Sequence, residues 1–469
     1  MSGFLAEFPE YQDTAKLDAL RDSEYDYLDE QGHLYLDYTG AGLAARAQHR
    51  AHAERLSGRL YGNPHSVNPT SEASTELVER TRARVLAHFN ASPDEYTAVF
   101  TQNATGAARL VGEAYPFTRR TRLVLTFDNH NSVNGLREFA RRRHARTVYV
   151  PTRAPELRVE TGALAEVLAH GRRGLFAYPA QSNFSGVRHP LDWVGLAQGL
   201  GYDVLLDAAA YLPTGTLDLS VVRPEFVMVS WYKLFGYPTG VGCLVARRDA
   251  LARLVRPWFS GGTIQAVSVG MPWHTMAPDE IAFEDGTVNF LSIPDVHFGL
   301  DWLAGIGLDV IGTRVRCLTG WLLRRLAALR HSDGTPMTRV YGPPDTKDRG
   351  GTVAFNLLDP NGRTVDERLV AAESATAGIS LRTGCFCNPG VGEDAFGLDK
   401  HALKPLRGTK IDSLDEYLRL IGLPTAGAIR VSLGLVSTLD DVDRFVAFVE
   451  KTYRDRIPDT AGLPHRDRC

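Results

Sequence analysis

Between residues 97 and 246 the chain alternates short β-rich apolar runs with amphipathic stretches, and no other feature restricts its fold as strongly. The runs are TAVFT, RLVLTF, GLFAYPA, YDVLLDA, FVMVS and GCLVAR, with GAARLVGEAY and LDWVGLAQGLG among the segments between them. Nearly continuous hydrophobic strands separated by helices predict an α/β unit, a mostly parallel sheet covered on both faces. In such sheets ligands collect beyond the carboxyl ends of the strands. Those ends are polar here. TAVFT runs into Gln102, Asn103, Ala104 and Thr105; RLVLTF into Asp128, Asn129 and His130; GLFAYPA into Gln181, Ser182 and Asn183. YDVLLDA carries Asp207, and FVMVS stops at Ser230 and leads into Lys233.

The rest of the chain sets boundaries. Its 469 residues are 44% hydrophobic and 23% charged, which is material for a large core and more than one domain. The expected division is a large domain over 36–297 and a smaller α+β domain formed by 1–35 with 298–469, since a long helical pattern and then short strands follow residue 298. Net charge is −3 and the basic residues are dispersed, so no nucleic-acid partner is expected; the run REFARRRHAR (137–146) reads as a solvated helix face. The N-terminal segment carries acids where a secretory leader needs basic residues, and no apolar run has the length of a membrane span. A cytoplasmic protein without a membrane partner is expected. Five cysteines agree with a reducing compartment, and the C-x-C pair Cys385 and Cys387 lacks the further ligands of a zinc site, so no metal is expected.

The segment SWYKLFGYPTGVG (230–242) places one lysine among aromatics, glycines and prolines. A lysine leaving a buried strand is either a snorkelling surface group or an amine whose pKa is depressed by burial. SWYK fits the S-x-x-K pair of serine-lysine hydrolases, but S-D-N and K-T-G are missing. No G-x-G-x-x-G follows a strand, which argues against a dinucleotide enzyme. Pyridoxal phosphate (PLP) meets more of the pattern: it needs a lysine for a Schiff base, a carboxylate for its pyridine nitrogen and donors for its phosphate. Lys233, Asp207 and the turn TQNATGAA supply these, with the phosphate at the N-terminus of the helix expected near Thr105 and His130 on the ring face. Each residue alone has an ordinary reading, Thr105 as a helix cap, Asp207 as a turn carboxylate and His130 as a hydrogen-bonded loop histidine. Together, at successive strand ends, they favour the cofactor.

These stretches, with YLDYTGAGL (35–43), GNPHS (62–66), AYPAQSNFSGVRHPLDW (177–193), GGT (261–263), RTGCFCNPG (382–390) and IRVSLG (429–434), make the chain resemble the class V aminotransferase family. The likeness is greatest to the cysteine-desulfurase-like domain of molybdenum cofactor sulfurases. The resemblance implies PLP-dependent transferase fold type I, the aspartate-aminotransferase-like fold. It implies Lys233 as Schiff-base lysine, Asp207 on the pyridine nitrogen, His130 stacked on the ring, and Ala104, Thr105 and Ser230 around the phosphate. Asn183 and Arg430 would orient the substrate, and Thr263 would reach the neighbouring subunit's phosphate in a homodimer. Cys387 would be the nucleophile that takes sulfur from L-cysteine or a cysteine derivative as a persulfide and releases alanine, on a loop free to swing, with Cys385 auxiliary.

Some positions depart from the pattern. Ala210 stands where desulfurases often carry glutamine, and Tyr232 precedes the lysine where histidine is common, a feature of the cofactor-sulfurase branch. Val391 and Gly392 replace a further cysteine of that branch. No C-terminal molybdenum-cofactor-binding domain is expected within these residues, so the sulfur acceptor, protein or small molecule, stays open. A C–S lyase or another class V enzyme acting on a different amino acid is the alternative reading, and a non-catalytic partner-binding protein the alternative of another class.

Overall fold

The computed structural model describes residues 2–64, 66–423 and 425–466. Cys469, and His65 within GNPHS, lie outside them. A seven-stranded sheet takes β1 (Tyr96–Thr101), β2 (Arg122–Thr126), β3 (Arg146–Val150), β4 (Gly174–Pro179), β5 (Asp203–Asp207), β6 (Phe226–Ser230) and β7 (Gly242–Arg247). Their spatial order is β1-β7-β6-β5-β4-β2-β3. Neighbours from β6 to β3 pair in parallel, whereas β7 runs antiparallel to both β1 and β6.

Side-chain alternation along each strand divides the core between the two sheet faces. Val99, Leu123, Leu125, Leu175, Leu205, Met228 and Leu244 join one cluster, which the helices Ala104–Ala114 and Leu136–Arg142 cover with Ala107, Val111 and Leu136. Phe100, Val124, Phe176, Val204, Val227, Val229 and Val245 face the other way, onto Val78 and Val85 of Pro69–His88 and Trp193 of Trp193–Gly199. With apolar partners on both sides the strands need no polar face, hence their unbroken hydrophobic reading.

The arginine run divides instead of forming one helix. Its first part lies in Leu136–Arg142, but Arg146 opens β3. Among the described residues this strand pairs only with β2, and it is half-buried along most of its length, so it never shows the dense apolar signature of the inner strands.

A second sheet, antiparallel throughout, orders Thr338–Tyr341, Thr352–Leu357, Ala428–Ser432 and Arg382–Gly384. The helix Leu308–Ala328 packs beside it, with Ile311, Val315, Leu318 and Leu322 at helical spacing in the common core. N-terminal residues are tied to this half of the chain by ion pairs of two buried arginines. The Arg314 guanidinium donates to Asp18 at 3.0 Å and to the Thr14 carbonyl at 3.0 Å, and Arg21 bridges Asp29 and Asp441. Among the described residues no helix is long and apolar enough to cross a membrane.

Candidate active site at the strand ends

β1 ends in a turn whose cap is Asn103: its side-chain oxygen accepts from the Gly106 N–H at 2.9 Å. The helix Ala104–Ala114 therefore starts one residue before Thr105, leaving Ala104 and Thr105 in its first turn on the wall of a cavity of about 110 Å³. Gly242 permits this close approach, since a Cβ there would sit 2.4 Å from the Asn103 carbonyl carbon. His130, Asn183, Asp207, Ser230, Tyr232 and Lys233 line the same cavity, as do Gln181 and Ala210. The strand order explains the convergence. β2, β4, β5 and β6 are parallel, so their carboxyl ends open on one edge, and the turn after β1 reaches that edge beside antiparallel β7.

Lys233 lies in the short helical turn Trp231–Phe235. Two glycine-rich stretches hold that turn. The Gly42 N–H donates to the Tyr232 carbonyl at 3.0 Å, and Gly236, at φ +78°, would place a Cβ 2.2 Å from the Ala44 nitrogen. The glycines of YLDYTGAGL and SWYKLFGYPTG are thus required by each other. Burial lowers the Lys233 pKa, and the nearby Asp207 carboxylate offsets part of that effect. Asp207 is itself buried, with one oxygen accepting from the Ala209 N–H at 3.0 Å.

His130 accepts the Ser132 N–H at Nδ1, 3.1 Å away, which puts the proton of the neutral imidazole on Nε2. Burial, reinforced by the positive charge of Lys233, depresses its pKa to about 4. Ser132 Oγ lies 2.6 Å from Thr105 Oγ1, joining the ends of β1 and β2. An amine, a carboxylate, a neutral imidazole and a helix N-terminus around one small cavity match the needs of an aromatic aldehyde bearing a phosphate.

Arg430, Cys387, Cys385 and Thr263 lie outside that lining. Arg430 is buried and adjoins it, donating to the Asn183 carbonyl at 3.1 Å and to Asp37 at 2.8 Å, while its Nε has no partner. Burial lowers its pKa, with Asp37 opposing. Its guanidinium covers the Phe386 ring at 4.8 Å. Cys387 is a free, exposed thiol on the next residue. Phe386 and Cys387 both hold positive φ, +54° and +53°, uncommon for residues with side chains.

The expectation of a swinging loop meets a tethered backbone. The Asn131 N–H donates to the Cys387 carbonyl at 2.7 Å, and the Asn183 amide donates to the Phe386 carbonyl at 2.8 Å. Asn388 donates to the Asp128 carbonyl at 2.7 Å and to Asn183 Oδ1 at 2.9 Å. Cys385 precedes this tethered turn and lines a separate, mainly apolar cavity of about 290 Å³. Thr263 is buried at the base of the hairpin Ile264–Ser268 and Trp273–Met276, exchanging hydrogen bonds with Ser260. Asp37 and Asn388 are the residues that motif reading passed over. Both stand inside quoted stretches, YLDYTGAGL and RTGCFCNPG, but an aspartate that pairs across the chain and an asparagine that fastens a loop have no local signature.

Comparison with known proteins agrees with this geometry. The Aminotransferase class-V family model matches residues 34–445. A molybdenum cofactor sulfurase from Solanum lycopersicum is 35% identical over 487 aligned positions, covering 96% of this chain and 59% of the relative, so the chain spans about three-fifths of that protein's length. Among solved structures, a cysteine desulfurase from Thermococcus onnurineus NA1 superposes with a TM-score of 0.76 at 23% identity, covering 93% of this chain and 97% of the other. A C-DES mutant with glycine covalently linked to its PLP cofactor superposes at 0.68 and 16% identity, covering 92% and 98%. The strand-end cavity, the lysine turn and the extent of the family match together make this chain a member of the class V aminotransferase family.

Proposed function

We propose that the protein is a PLP-dependent sulfurtransferase that moves the sulfur of L-cysteine onto Cys387 as a persulfide and releases alanine. The observation that carries this reading is the free, exposed thiol of Cys387 on the turn that Asn183, a wall residue of the Lys233 cavity, fastens through the Phe386 carbonyl, with Arg430 bonded to the same asparagine. When bound, the cofactor supplies an electron sink for negative charge developing at the substrate's Cα. The chain does the rest. Lys233 would be the attachment point for the cofactor's aldehyde carbon, and burial lowers the pKa of its amine, which favours proton transfer. Asp207 would pair with the ring nitrogen and favour its protonated form. The N–H groups of Ala104 and Thr105, with the hydroxyls of Thr105 and Ser230, would hold the phosphate.

Arg430 and Asn183 orient the substrate carboxylate, and for this Asp37 releases one guanidinium edge. His130 presents its Nε2 proton from the ring-stacking position, and Tyr232 closes the wall beside the lysine. The Cys387 thiolate attacks the substrate sulfur: an S–S bond forms, the substrate C–S bond breaks, and the released electron pair is protonated at carbon to give alanine. The persulfide then passes to an acceptor, a protein or a small molecule. Thr263 and the hairpin above it serve the neighbouring subunit, because Val269 and Met271 at its tip are 99% and 67% exposed. A homodimer would cover them.

The test is L-cysteine turnover with alanine and protein persulfide quantified. Cys387→Ala is expected to bind L-cysteine, seen as a shift of the cofactor's visible band, yet to produce neither persulfide nor more than background alanine. Cys385→Ala is expected to be milder. Unchanged alanine production by the Cys387 variant would reject the persulfide role and favour the C–S lyase alternative.

A further inference from the structure

Behind the strand ends lies a larger cavity, of about 770 Å³, between the 187–191 segment and the helix Leu308–Ala328. Four arginines line it: Arg158, Arg188, Arg316 and Arg349. Two have acidic partners elsewhere, Arg158 with Glu156 and Arg316 with Glu10. Among the described residues, Arg188 and Arg349 form no ion pair within 4.0 Å. Arg349 is 5% exposed; among the described residues it donates only to the carbonyls of Pro343 and Thr352, and its Nε has no hydrogen-bond partner. Arg188 donates to Gln181 Oε1 at 3.0 Å and to Thr214 Oγ1 at 2.7 Å, and its guanidinium lies 5.1 Å from the Tyr211 ring centroid.

Burying a guanidinium without a counter-ion is costly, and proteins ordinarily pair such charges. Arg349, buried, and Arg188, half-buried, share one cavity without a carboxylate partner, which calls for a common explanation. Burial, with the charge of Arg158 adding to it and Asp345 offsetting part, lowers Arg349 to about 9; burial lowers Arg188 as well. Asp309 and Asp348 also line the cavity, yet neither is within ion-pair distance of these two arginines. An external anion would supply the missing partner. Guanidinium forks favour phosphate oxygens, Tyr211 adds an aromatic wall, and the volume falls within the ordinary range for small-molecule sites.

We propose that this cavity is a second binding site, separate from the Lys233 cavity, for a phosphate-bearing small molecule whose charge is met by Arg188 and Arg349. The two sites touch through Gln181, which lines the Lys233 cavity and accepts from Arg188. Gly350 leaves room for that carboxamide, since a Cβ there would lie 2.0 Å from Oε1. An occupant can thus be felt at the catalytic cavity through one side chain.

The test is calorimetric titration of the PLP-loaded enzyme with inorganic pyrophosphate and with adenosine monophosphate, adenosine being the uncharged comparison. Loading fills the cofactor's own phosphate site. The expected result is saturable binding of at least one phosphate probe, none of adenosine, and affinity weakened about 10-fold or more in Arg188→Gln and in Arg349→Met. Arg141→Gln, on the exposed run, is expected to leave binding unchanged. If Arg349→Met does not fold, Arg188→Gln decides alone, since this side chain is only partly buried. Absence of saturable binding, or binding that both arginine variants retain in full, would overturn the proposal.

Discussion

At the scale of single residues, the proposed roles of Lys233 and Asp207 are separable by experiment. Borohydride reduction and peptide mapping are expected to place the pyridoxyl label on Lys233 and on no other lysine. Asp207→Asn is expected to keep its cofactor but lose roughly 10²-fold or more in turnover, because a neutral amide no longer holds the ring nitrogen protonated. Full activity in that variant would make the carboxylate structural. Histidines supply a pH test. Burial holds both His130 and His88 near pKa 4, below their ordinary 6.5, so the unfolded chain binds more protons than the folded one between those values. Stability of the apo-protein should therefore rise with pH from about 4 to 6.5 and level off above. Each histidine contributes on the order of a few kcal/mol. His88→Gln, away from the cavity, should flatten the slope in a denaturation series measured across that window; an unchanged slope would count against its burial in the neutral form.

Much of the strand-end placement could be read from sequence, and the reason lies at the scale of elements. Each inner strand is buried on both faces, so its apolar run has sharp edges, and the first polar residue after it falls at the carboxyl end by construction. That made Lys233, Asp207, His130 and Asn183 neighbours before any coordinates. What escaped obeys long-range pairing. β3 is hidden because its single partner leaves it half-buried and its first residue is the last arginine of a basic run. The hairpin at 264–276 carries exposed apolar side chains that do not alternate against a core, so nothing marks it as paired. The lysine turn depends on the glycine interlock. Gly236→Ala combines a left-handed backbone with a collision against Leu43 and Ala44, and is expected to cost on the order of 2 kcal/mol or more and to weaken cofactor retention. Retention and melting temperature matching those of the unaltered protein would show that the turn can relax.

For the whole molecule, the proposed homodimer rests on the hairpin with its exposed Val269, Met271 and Trp273. Val269→Asp together with Trp273→Asp is expected to move the sedimentation boundary from dimer to monomer and to reduce activity in parallel, if Thr263 completes the partner's phosphate site. A fully active monomer would detach the hairpin from catalysis. The moorings of the Cys387 turn reach further. Its backbone is fastened to the ends of β2 and β4 by Asn131, Asn183 and Asn388, so the sulfur atom has only its own side-chain rotation with which to travel. If Cys387 carries the sulfur as proposed, delivery becomes a matter of the visitor's shape and not of the enzyme's reach: a recipient would have to bring its accepting atom to the surface where the thiol already stands, which favours slender or protruding acceptors and turns away any whose reactive atom is recessed.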